Sequence, residues 1–441
     1  MLLPRKGQLR SAARQTGIRK SLVAGAAALL LFGPTAAVAH AEPDPAPALP
    51  PELIAAVVRD LRISPEEYLH RAEAAQQVAA FATTAQRQFP QVFAGSWLDD
   101  AGRAVVALAQ GAGNDEARKA AQSAGFEVRN VAKSETTLRG EKTAFENWLG
   151  AQPPEIANLV RGAVVDTVNN SIAVRVDKSG LPMPSFIDPA RVIVMPAPPQ
   201  AGEPIAAVPV AGANNRGPLA AGDGYLSMSN RLSLRCSLGF NGTDRNGNVV
   251  NISAGHCNPD IPAAGTPDAA LAVEMIGDHK GIALGQFQKS VLGAQDYSII
   301  RINDDNRDRF GNNLVRVPNA APIAVEGVAT PVIGAPVCKS GSRTGFSCGV
   351  INAVDQTVQI GERQQTQSFS ANICALPGDS GGPVVTGRLA LGISSASSVA
   401  DYPICEIPNI LGALTGNVPQ LFAQPLSVVL SDNPGLSVRT N

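Results

Sequence analysis

All six cysteines of this chain lie in its second half. No two of them form a CxxC pair and no histidine-rich segment accompanies them, so a zinc site is not indicated. An even number of cysteines confined to one part of a chain favours disulfides, and therefore an exported protein. Six cysteines allow 15 pairings in principle. The sequence-local pairing joins Cys236 with Cys257, Cys338 with Cys348, and Cys374 with Cys405.

The first 41 residues indicate where the protein goes. They carry six basic residues and no acid, then an apolar run from Leu22 to Phe32, the breaker Gly33-Pro34, and small residues up to Ala41. This is the pattern of a secretory signal peptide, with cleavage after Ala39 or Ala41. An uncleaved membrane anchor is the alternative, but a run of about 11 residues is too short to span a bilayer. We therefore predict a secreted, extracellular protein.

The composition excludes several classes of function. The 441 residues carry 36 Lys and Arg against 37 Asp and Glu, so nothing marks a surface for nucleic acid or an anionic membrane. Hydrophobic residues make up 44% of the chain and charged residues 17%, as in globular proteins. Beyond the first fifty residues, no apolar run is long enough to span a bilayer. The length predicts two or three domains.

Residues 42–195 contain no cysteine and show the patterns of helices and strands. Ser64-Pro65-Glu66-Glu67 predicts a helix start, with Ser as N-cap, Pro at the first position and Glu three residues after the cap. Further elements are predicted, namely strands over Phe93–Leu98 and Ala104–Leu108, helices over 115–123 and 134–149, and a hairpin of Val164–Val168 and Ile172–Val176. We predict a small α+β domain, in which His70 is a surface or packing residue.

Two further segments complete the organisation of the chain. Residues 196–222 are rich in Pro, Ala and Gly and lack periodicity, which predicts an exposed linker that is open to proteolysis. In residues 223–441, short apolar runs alternate with Gly, Asn and Asp turns, and this predicts an all-β barrel or sandwich. The domains are therefore a signal peptide (1–41), an α+β region (42–195), a linker and an all-β region.

The segment Gly378-Asp379-Ser380-Gly381-Gly382-Pro383 carries the clearest sign of chemistry. A serine hydroxyl is a poor nucleophile unless a base takes its proton and amide donors stabilise the resulting oxyanion. Glycines on both sides allow a tight turn that points N–H groups at one spot. An ordinary glycine-rich turn has the same composition, so a catalytic interpretation needs a base elsewhere in the chain.

Two histidines follow residue 222, and His256 is the better candidate for this base. His279 lies in the charged stretch Asp278-His279-Lys280 and is expected to be solvated. His256 ends an apolar run and is followed by Cys257, which is a predicted disulfide partner. A disulfide there would fix the backbone, as a positioned general base requires.

Asp296 is the candidate for a carboxylate that orients this imidazole. It precedes the apolar run Tyr297-Ser298-Ile299-Ile300, where an unpaired buried charge would be costly. A turn or strand-start aspartate is the plainer interpretation. The chain order His256, Asp296, Ser380 favours the catalytic one, because it is the order of chymotrypsin-type enzymes.

Residues from about 223 to 441 resemble the secreted trypsin-fold (chymotrypsin-like, S1-type) serine proteases of the streptogrisin and alpha-lytic protease type. The motifs that carry this resemblance are Ala254-Gly255-His256-Cys257, Asp296-Tyr297, Cys338-Lys339-Ser340-Gly341 with Thr344-Gly345, and Gly378-Asp379-Ser380-Gly381-Gly382-Pro383. Residues 50–180 also resemble the alpha-lytic-type pro-region, notably at Trp97-Leu98-Asp99 before the strand Arg103–Leu108.

The resemblance implies an all-β catalytic domain of two antiparallel, six-stranded-type β-barrels, with the site in the cleft between them and an α+β pro-domain before them. Ser380 would attack the scissile carbonyl and form an acyl-enzyme. His256 would act as general base and then as acid, and Asp296 would orient it. The backbone N–H groups of Gly378 and Ser380 would form the oxyanion hole. The sequence-local disulfide pairs match the family's pattern.

The resemblance also implies an ion pair and a role for residues 42–195. Lys339 occupies the place where bacterial members carry a basic side chain after the middle cysteine. We predict a buried ion pair of Lys339 with Asp379, against the alternative of a solvated surface lysine. Proteases of this type are made with a pro-region that assists folding and then inhibits the active site. We expect residues 42–195 to do both, with self-cleavage in the linker.

Two positions depart from the family pattern. The usual Ile-x-Gly-Gly segment at the mature N-terminus is replaced by Leu219–Tyr225, which leaves the first mature residue within about 205–224. The strand after the serine ends Ser-Gly-Gly in relatives, whereas Ser395, Ala396 and Ser397 stand here. We expect these side chains to narrow the substrate-binding pocket to small or medium apolar residues. Asp401 and Glu406 lie nearby in sequence and keep a preference for Arg or Lys open.

The sequence therefore predicts a secreted serine endopeptidase, made as a preproenzyme and acting without a cofactor or a metal. Its expected partners are polypeptide substrates and its own pro-region, with no nucleic acid, no stable membrane span and a monomeric state. Two other functions remain open. One is a catalytically silent trypsin fold that serves as a binding or surface protein, and the other is an esterase that uses the same triad.

Overall fold

The computed structural model describes residues 49–195, 217–230, 232–277 and 279–441. The predicted signal peptide and residues 196–216 of the predicted linker lie outside the described residues. We refer to residues 49–195 as the N-terminal region and to residues 217–441 as the C-terminal region. In the described part of the chain, no helix has both the length and the apolarity needed to cross a membrane.

Five helices of the N-terminal region are α1 (Pro51–Ala56), α2 (Pro65–Gln88), α3 (Asn114–Ser123), α4 (Glu135–Gly150) and α5 (Pro154–Ala157). The capping signal read from the sequence determines the start of α2, because the Ser64 side chain accepts a hydrogen bond from the Glu67 backbone N–H. Ser134 caps α4 in the same way, through the backbone N–H of Thr137. The predicted helices are confirmed to within one or two residues at each end.

Six strands of the N-terminal region are β1 (Phe93–Leu98), β2 (Ala104–Ala109), β3 (Glu127–Val131), β4 (Val160–Asp166), β5 (Ser171–Val176) and β6 (Val192–Val194). The first three form one sheet in which β2 lies between β1 and the parallel β3. The sequence did not indicate β3, since its residues are polar at three positions of five and none is buried. The hairpin of β4 and β5 is confirmed.

Seven strands begin the C-terminal region, namely β7 (Gly224–Met228), β8 (Ser233–Ser237), β9 (Phe240–Thr243), β10 (Val249–Ser253), β11 (Leu271–Ile276), β12 (His279–Leu292) and β13 (Asp296–Ile302). Together with β23 (Ser437–Val438) they form an antiparallel sheet in the order β23-β9-β10-β13-β12-β11-β7-β8. His256 follows β10, and Asp296 is the first residue of the adjacent β13. The sheet therefore places these two residues at the same end of neighbouring strands.

The remaining elements are β14 (Leu314–Val315), β15 (Ile323–Ala324), β16 (Gly327–Val328), β17 (Pro336–Gly341), β18 (Gly345–Ile360), β19 (Arg363–Ala371), β20 (Pro383–Thr386), β21 (Leu389–Ser397), α6 (Glu406–Thr415), β22 (Leu421–Pro425) and α7 (Leu426–Ser431). Six of these strands pair in the order β17-β20-β21-β22-β19-β18, and β17 also pairs with β18. Ser380 lies in the turn before β20. The predicted all-β character of the C-terminal region is confirmed.

The N-terminal region extends the second of these sheets. Strand β4 pairs antiparallel with β18, and β5 and β6 follow outward from it. Glycine is required at position 162, where φ is +154° and a Cβ atom would lie 2.2 Å from the carbonyl oxygen of Thr357. A buried apolar cluster that contains Val78 and Phe93 together with Val337 and Leu391 also joins the two regions. The described residues from Leu49 onward accordingly form one compact unit.

Three differences from the sequence-based expectations concern the C-terminal region. Strands β18 and β19 form a hairpin of 16 and 9 residues, which is much longer than the short apolar runs predicted for this part of the chain. Its buried polar residues, such as Gln356, interrupt the alternation on which the prediction relied. Helix α6 was not predicted. The linker was expected to be exposed up to residue 222, but residues 219–221 are buried against the C-terminal region.

Candidate active site

The turn that carries Ser380 is held by hydrogen bonds to its carbonyl groups. Ser237 donates its hydroxyl to the Gly378 oxygen (2.7 Å) and its backbone N–H to the Ser380 oxygen (2.8 Å). Gly378 has a φ of +107°, which a residue with a side chain rarely adopts. Within the described residues, the N–H groups of Gly378 and Ser380 donate to no backbone carbonyl. The turn therefore leaves two amide donors without a backbone acceptor next to the serine.

The turn also packs closely against the segment that precedes His256. A Cβ atom at Gly381, where φ is +84°, would lie 2.0 Å from the Ser253 hydroxyl oxygen. The sulfur of Cys257 lies 3.7 Å from the carbonyl oxygen of Ser380. These contacts bring Ser380 and His256 to one place, although they are 124 residues apart (380 − 256) in the sequence.

His256 lies in a short helical turn, Gly255–Cys257, directly after β10. The disulfide Cys236–Cys257 fixes this turn to β8. The imidazole Nδ1 lies 2.7 Å from Oδ2 of Asp296, and the His256 backbone N–H donates to Oδ1 of the same carboxylate (2.9 Å). The imidazole Nε2 is buried and has no hydrogen-bond partner among the described residues. With Nδ1 bound to a carboxylate, Nε2 is the nitrogen that can accept a proton.

Asp296 is fully buried and is surrounded by donors. Besides His256, Oδ2 accepts hydrogen bonds from Arg363 Nη2 (2.9 Å) and from the Ser395 hydroxyl, and the Asp296 backbone N–H donates to Gln424 (3.0 Å). Burial raises the pKa of the Asp296 carboxyl. The charges of His256 and Arg363 and the hydrogen bonds more than offset this effect and hold the pKa well below its usual range. The carboxylate is therefore ionised at neutral pH.

Two of these partners were not foreseen. Ser395 was predicted to line the substrate pocket; it lines a cavity next to Ser380, and its hydroxyl also binds Asp296. Arg363 was not singled out at all, because no local sequence signal connects it with a residue 67 positions away. Only the pairing of the strands in three dimensions brings it to the site.

Lys339 and Asp379 form the second buried ion pair near the serine. Lys339 Nζ lies 3.1 Å from Asp379 Oδ2, and both side chains are essentially unexposed, at 0% and 1%. The other carboxylate oxygen accepts backbone N–H groups of Arg343 (3.1 Å) and Thr344 (2.9 Å). Burial raises the pKa of Asp379, but the charge of Lys339 and these hydrogen bonds lower it below the usual range.

A small cavity lies next to Ser380. Its lining includes Ala375–Pro377 on one wall, Ser395, Ala396 and Ser397 on the other, and Ala400 and Leu421. Its volume is about 10 Å³, roughly the room that one water molecule needs. The only charged residue in this lining is Asp379, which Lys339 neutralises.

The other residues considered from the sequence lie away from this site. Asp401 and Glu406 are exposed and do not line the cavity. His70 and His279 are also exposed.

The three disulfides have the sequence-local pairing, Cys236–Cys257, Cys338–Cys348 and Cys374–Cys405. No group of three or more potential metal ligands occurs among the described residues.

Comparison with known proteins identifies the class. The chain is 28% identical to streptogrisin-C of Streptomyces griseus over 414 residues. This alignment covers 87% of this chain and 79% of streptogrisin-C. Serine protease 2 of Streptomyces fradiae is 29% identical over 165 residues (37% of this chain, 87% of that protein). Glutamyl endopeptidase 2 of Streptomyces griseus is 29% identical over 164 residues (37% and 79%). No protein-family model matches the chain.

Solved structures similar to this one are also proteases. Nocardiopsis protease (NAPase) is 28% identical, with 51% of this chain and 100% of that chain aligned and a TM-score of 0.39. Thermobifida fusca protease A is 26% identical, with the same coverage and TM-score.

The protein is thus a serine-type endopeptidase. Its homologues are the streptogrisins and related S1-type serine proteases, and the similarity to streptogrisin-C extends over both the N-terminal and the C-terminal regions.

Proposed function

We propose that the chain hydrolyses peptide bonds through Ser380 as nucleophile, His256 as general base and Asp296 as the carboxylate that orients the base. The observation that carries this proposal is the arrangement of the imidazole. Its Nδ1 is bound to a buried carboxylate and its buried Nε2 has no partner among the described residues, while the neighbouring Cys257 contacts the Ser380 carbonyl. A general base needs this tautomer, which leaves a lone pair free for the serine proton.

The steps follow from this geometry. As Ser380 Oγ attacks the scissile carbonyl carbon, His256 Nε2 takes the hydroxyl proton and Asp296 stabilises the imidazolium. The N–H groups of Gly378 and Ser380 donate to the oxyanion. The imidazolium then protonates the leaving amine as the carbon–nitrogen bond breaks, and an acyl-enzyme forms. A water molecule, deprotonated by His256, then attacks the acyl carbon; the bond from this carbon to Ser380 Oγ breaks, His256 returns the proton to Oγ, and the product with its new carboxyl group leaves.

The cavity beside Ser380 favours a small, uncharged side chain on the acyl side of the cleaved bond. The side chains of Ser395, Ala396 and Ser397 line it and take up room that an aromatic ring would need. No cation lines it among the described residues, so a glutamate would have no counter-charge, and the paired Asp379 supplies none for Arg or Lys. In a series of peptides that differ only at this residue, we expect fastest cleavage after Ala. Fastest cleavage after Phe, Tyr, Glu or Arg would contradict this preference.

The N-terminal region acts, in this proposal, as a folding aid and inhibitor of a secreted enzyme that works as a monomer. The pairing of β4 with β18 supports a folding role, since it extends a sheet of the C-terminal region. Met195, the last described residue before the gap, belongs to a buried apolar cluster with Ala396 of the cavity wall and Phe422. The N-terminal region therefore ends at the substrate cleft, where it would block access.

The position of self-cleavage follows from burial. Leu219 donates its N–H to the Arg309 carbonyl, and Ala221 donates to Leu314 (2.8 and 2.9 Å). Residues 219–221 are therefore part of the packed C-terminal region, and we place cleavage between residues 196 and 218.

Expression of the chain with and without Ser380→Ala tests the proposal. Wild type should yield a C-terminal fragment of about 225–245 residues without tryptophan, because Trp97 and Trp148, the only two tryptophans, both precede the cleaved segment. The Ser380→Ala chain should keep its N-terminal region, as judged on a denaturing gel and by mass spectrometry. Identical cleavage of both chains, or full activity of the variant, would contradict the assignment of Ser380. Exposed Ser427→Ala is the matched control and should be processed like wild type.

A further inference from the structure

Arg363 occupies an unusual place beside the carboxylate of the candidate triad. It is the first residue of β19, directly after the turn of the β18–β19 hairpin. Its Nη2 lies 2.9 Å from Oδ2 of Asp296, the oxygen that also binds His256 Nδ1. The Arg363 side chain is only 15% exposed, and its Nη1 is buried with no partner among the described residues. A largely desolvated cation therefore shares the carboxylate with the imidazole.

We infer that Arg363 is a positioning residue that acts through Asp296 and sets the acid limit of catalysis. The inference rests on the proposed function, because it concerns the proton acceptor of that same site. Arg363 fixes the carboxylate for His256, and its charge opposes the formation of a second cation on the imidazole. The enzyme therefore keeps a neutral, proton-accepting His256 at lower pH than it would without the arginine.

The contacts around the hairpin hold the guanidinium in place. Thr366 N–H donates to the Ala294 carbonyl (2.8 Å), which ties β19 to the loop just before Asp296. The side-chain oxygen of the fully buried Gln365 lies 3.0 Å from the Ser395 hydroxyl oxygen. The backbone of β19 beside Arg363 is therefore fixed next to Asp296.

Arg363 has the main electrostatic influence on the imidazole, because the other charged and titratable groups around Asp296 are neutral or bound to other residues. Strand β7 contributes Tyr225, whose hydroxyl is hydrogen-bonded to Ser253 and whose pKa is raised by burial and by the charge of Asp296, so it stays neutral. Lys289 of β12 lies against the Tyr297 ring and is bound to Asn433. Strands β21 and β22 present Ser395 and Gln424, which are uncharged.

Removal of the Arg363 charge is expected to shift the pH profile of kcat/KM, and not only to lower kcat/KM. At the effective dielectric constant of a protein interior, the repulsion between two cations that share one carboxylate corresponds to about one pH unit or more. Loss of the arginine makes protonation of the imidazole easier, so the acid limb of kcat/KM should move to higher pH. A purely structural role would lower kcat/KM equally at every pH.

The test compares enzyme secreted from four full-length chains: wild type, Arg363→Gln, Arg363→Lys and Arg301→Gln. Glutamine keeps a hydrogen-bond donor without the charge, and lysine keeps the charge. Arg301 is an exposed arginine on β13, the strand of Asp296, and serves as the matched control. We expect the midpoint of the acid limb to rise by about one pH unit in Arg363→Gln. Arg363→Lys should restore most of the shift, and Arg301→Gln should show none.

The outcomes separate this inference from the proposed function. An unchanged midpoint in Arg363→Gln, or an equal loss of kcat/KM at all pH values, overturns the role of Arg363 while the triad stands. Full activity after Ser380→Ala overturns the triad itself. If Arg363→Gln yields too little enzyme, NMR titration of the His256 ring in the Ser380→Ala chain, which keeps its N-terminal region, makes the same comparison. Identical titration with and without Arg363→Gln then contradicts the inference.

Discussion

Two buried carboxylates, Asp296 and Asp379, have nearly the same electrostatic surroundings but support different functions. Each is unexposed, each lies about 3 Å from a cation, and each has a pKa below its usual range for the same reasons. The partners of Asp379 are a lysine, a threonine and backbone amides, which hold a loop in place. Asp296 instead binds an imidazole whose other nitrogen has no partner among the described residues.

The difference shows that a low pKa and burial alone do not mark a catalytic group. The groups around Asp379 are an ammonium, a hydroxyl and backbone N–H groups, and we expect that site to be structural. The imidazole beside Asp296 has a ring nitrogen without a partner among the described residues, and in the proposed function this nitrogen accepts the serine proton. The identity of the partner, rather than the strength of the ion pair, separates the two roles.

Asp296→Asn should produce the largest effect of the variants that test this comparison. An asparagine amide favours the wrong imidazole tautomer, so kcat should fall about 10⁴-fold. Peptide hydrolysis by purified enzyme, corrected for folded fraction, measures the loss. The matched control is Asp305→Asn, an exposed carboxylate that should leave kcat unchanged. A loss of less than about tenfold would mean that Asp296 is as structural as Asp379.

Lys339→Met should act on stability instead. It leaves Asp379 buried without a counter-charge, and this should lower the free energy of unfolding by about 3–5 kcal/mol. Denaturant unfolding of chains that also carry Ser380→Ala, which prevents self-digestion, measures the change. Exposed Lys178→Met should alter stability by no more than about 0.5 kcal/mol. A stable Lys339→Met protein would refute the structural role of the pair.

The pH dependence of stability should reflect both carboxylates. Because their pKa values are lower in the folded than in the unfolded chain, the folded chain binds fewer protons in acid. Their contribution is complete above the unfolded carboxyl pKa of about 4 and is lost progressively as the pH falls below it. Thermal unfolding of the Ser380→Ala chain from pH 7 to pH 2 should show this loss. The loss should be smaller with Lys339→Met, and equal slopes would contradict the assignment to Asp379.

Ser395→Ala should give the smallest effect of these variants on kcat/KM. It removes one hydrogen bond to the ionised Asp296 carboxylate and leaves His256 and Arg363 in place. A hydrogen bond to a charged group contributes about 1.5–3 kcal/mol, so kcat/KM should fall about 10- to 100-fold. A loss as large as that of Asp296→Asn would show that the serine, rather than the charges, holds the carboxylate in its working position.

Residues whose positions depend on short-range sequence signals were predictable. Ser64 caps its helix through the Glu67 amide three residues away, as the capping pattern requires. The cysteine beside His256 and the glycines around Ser380 identify both segments, because a fixed turn needs these residue types. The same local logic predicted the disulfide pairs once neighbours in sequence were joined.

Residues whose roles depend on long-range pairing were not predictable. Gln424 and Arg363 reach Asp296 from β22 and β19, and nothing near them in sequence indicates a buried acid. The long hairpin that carries Arg363 was underestimated because Gln356 and Gln365 are buried polar residues, which interrupt the hydrophobic alternation. Contacts of this kind follow from the register of the strands, which a single sequence does not specify on its own.

Labelling with a fluorophosphonate tests whether Ser380 is a nucleophile that His256 activates. Only a serine activated by a neighbouring base attacks this phosphorus and displaces fluoride. We expect one label per secreted wild-type molecule, located by peptide mass spectrometry at Ser380, and almost none in His256→Ala or at pH values where the imidazole is protonated. A label on another serine, or equal labelling of Ser380 without His256, would contradict the proposed site.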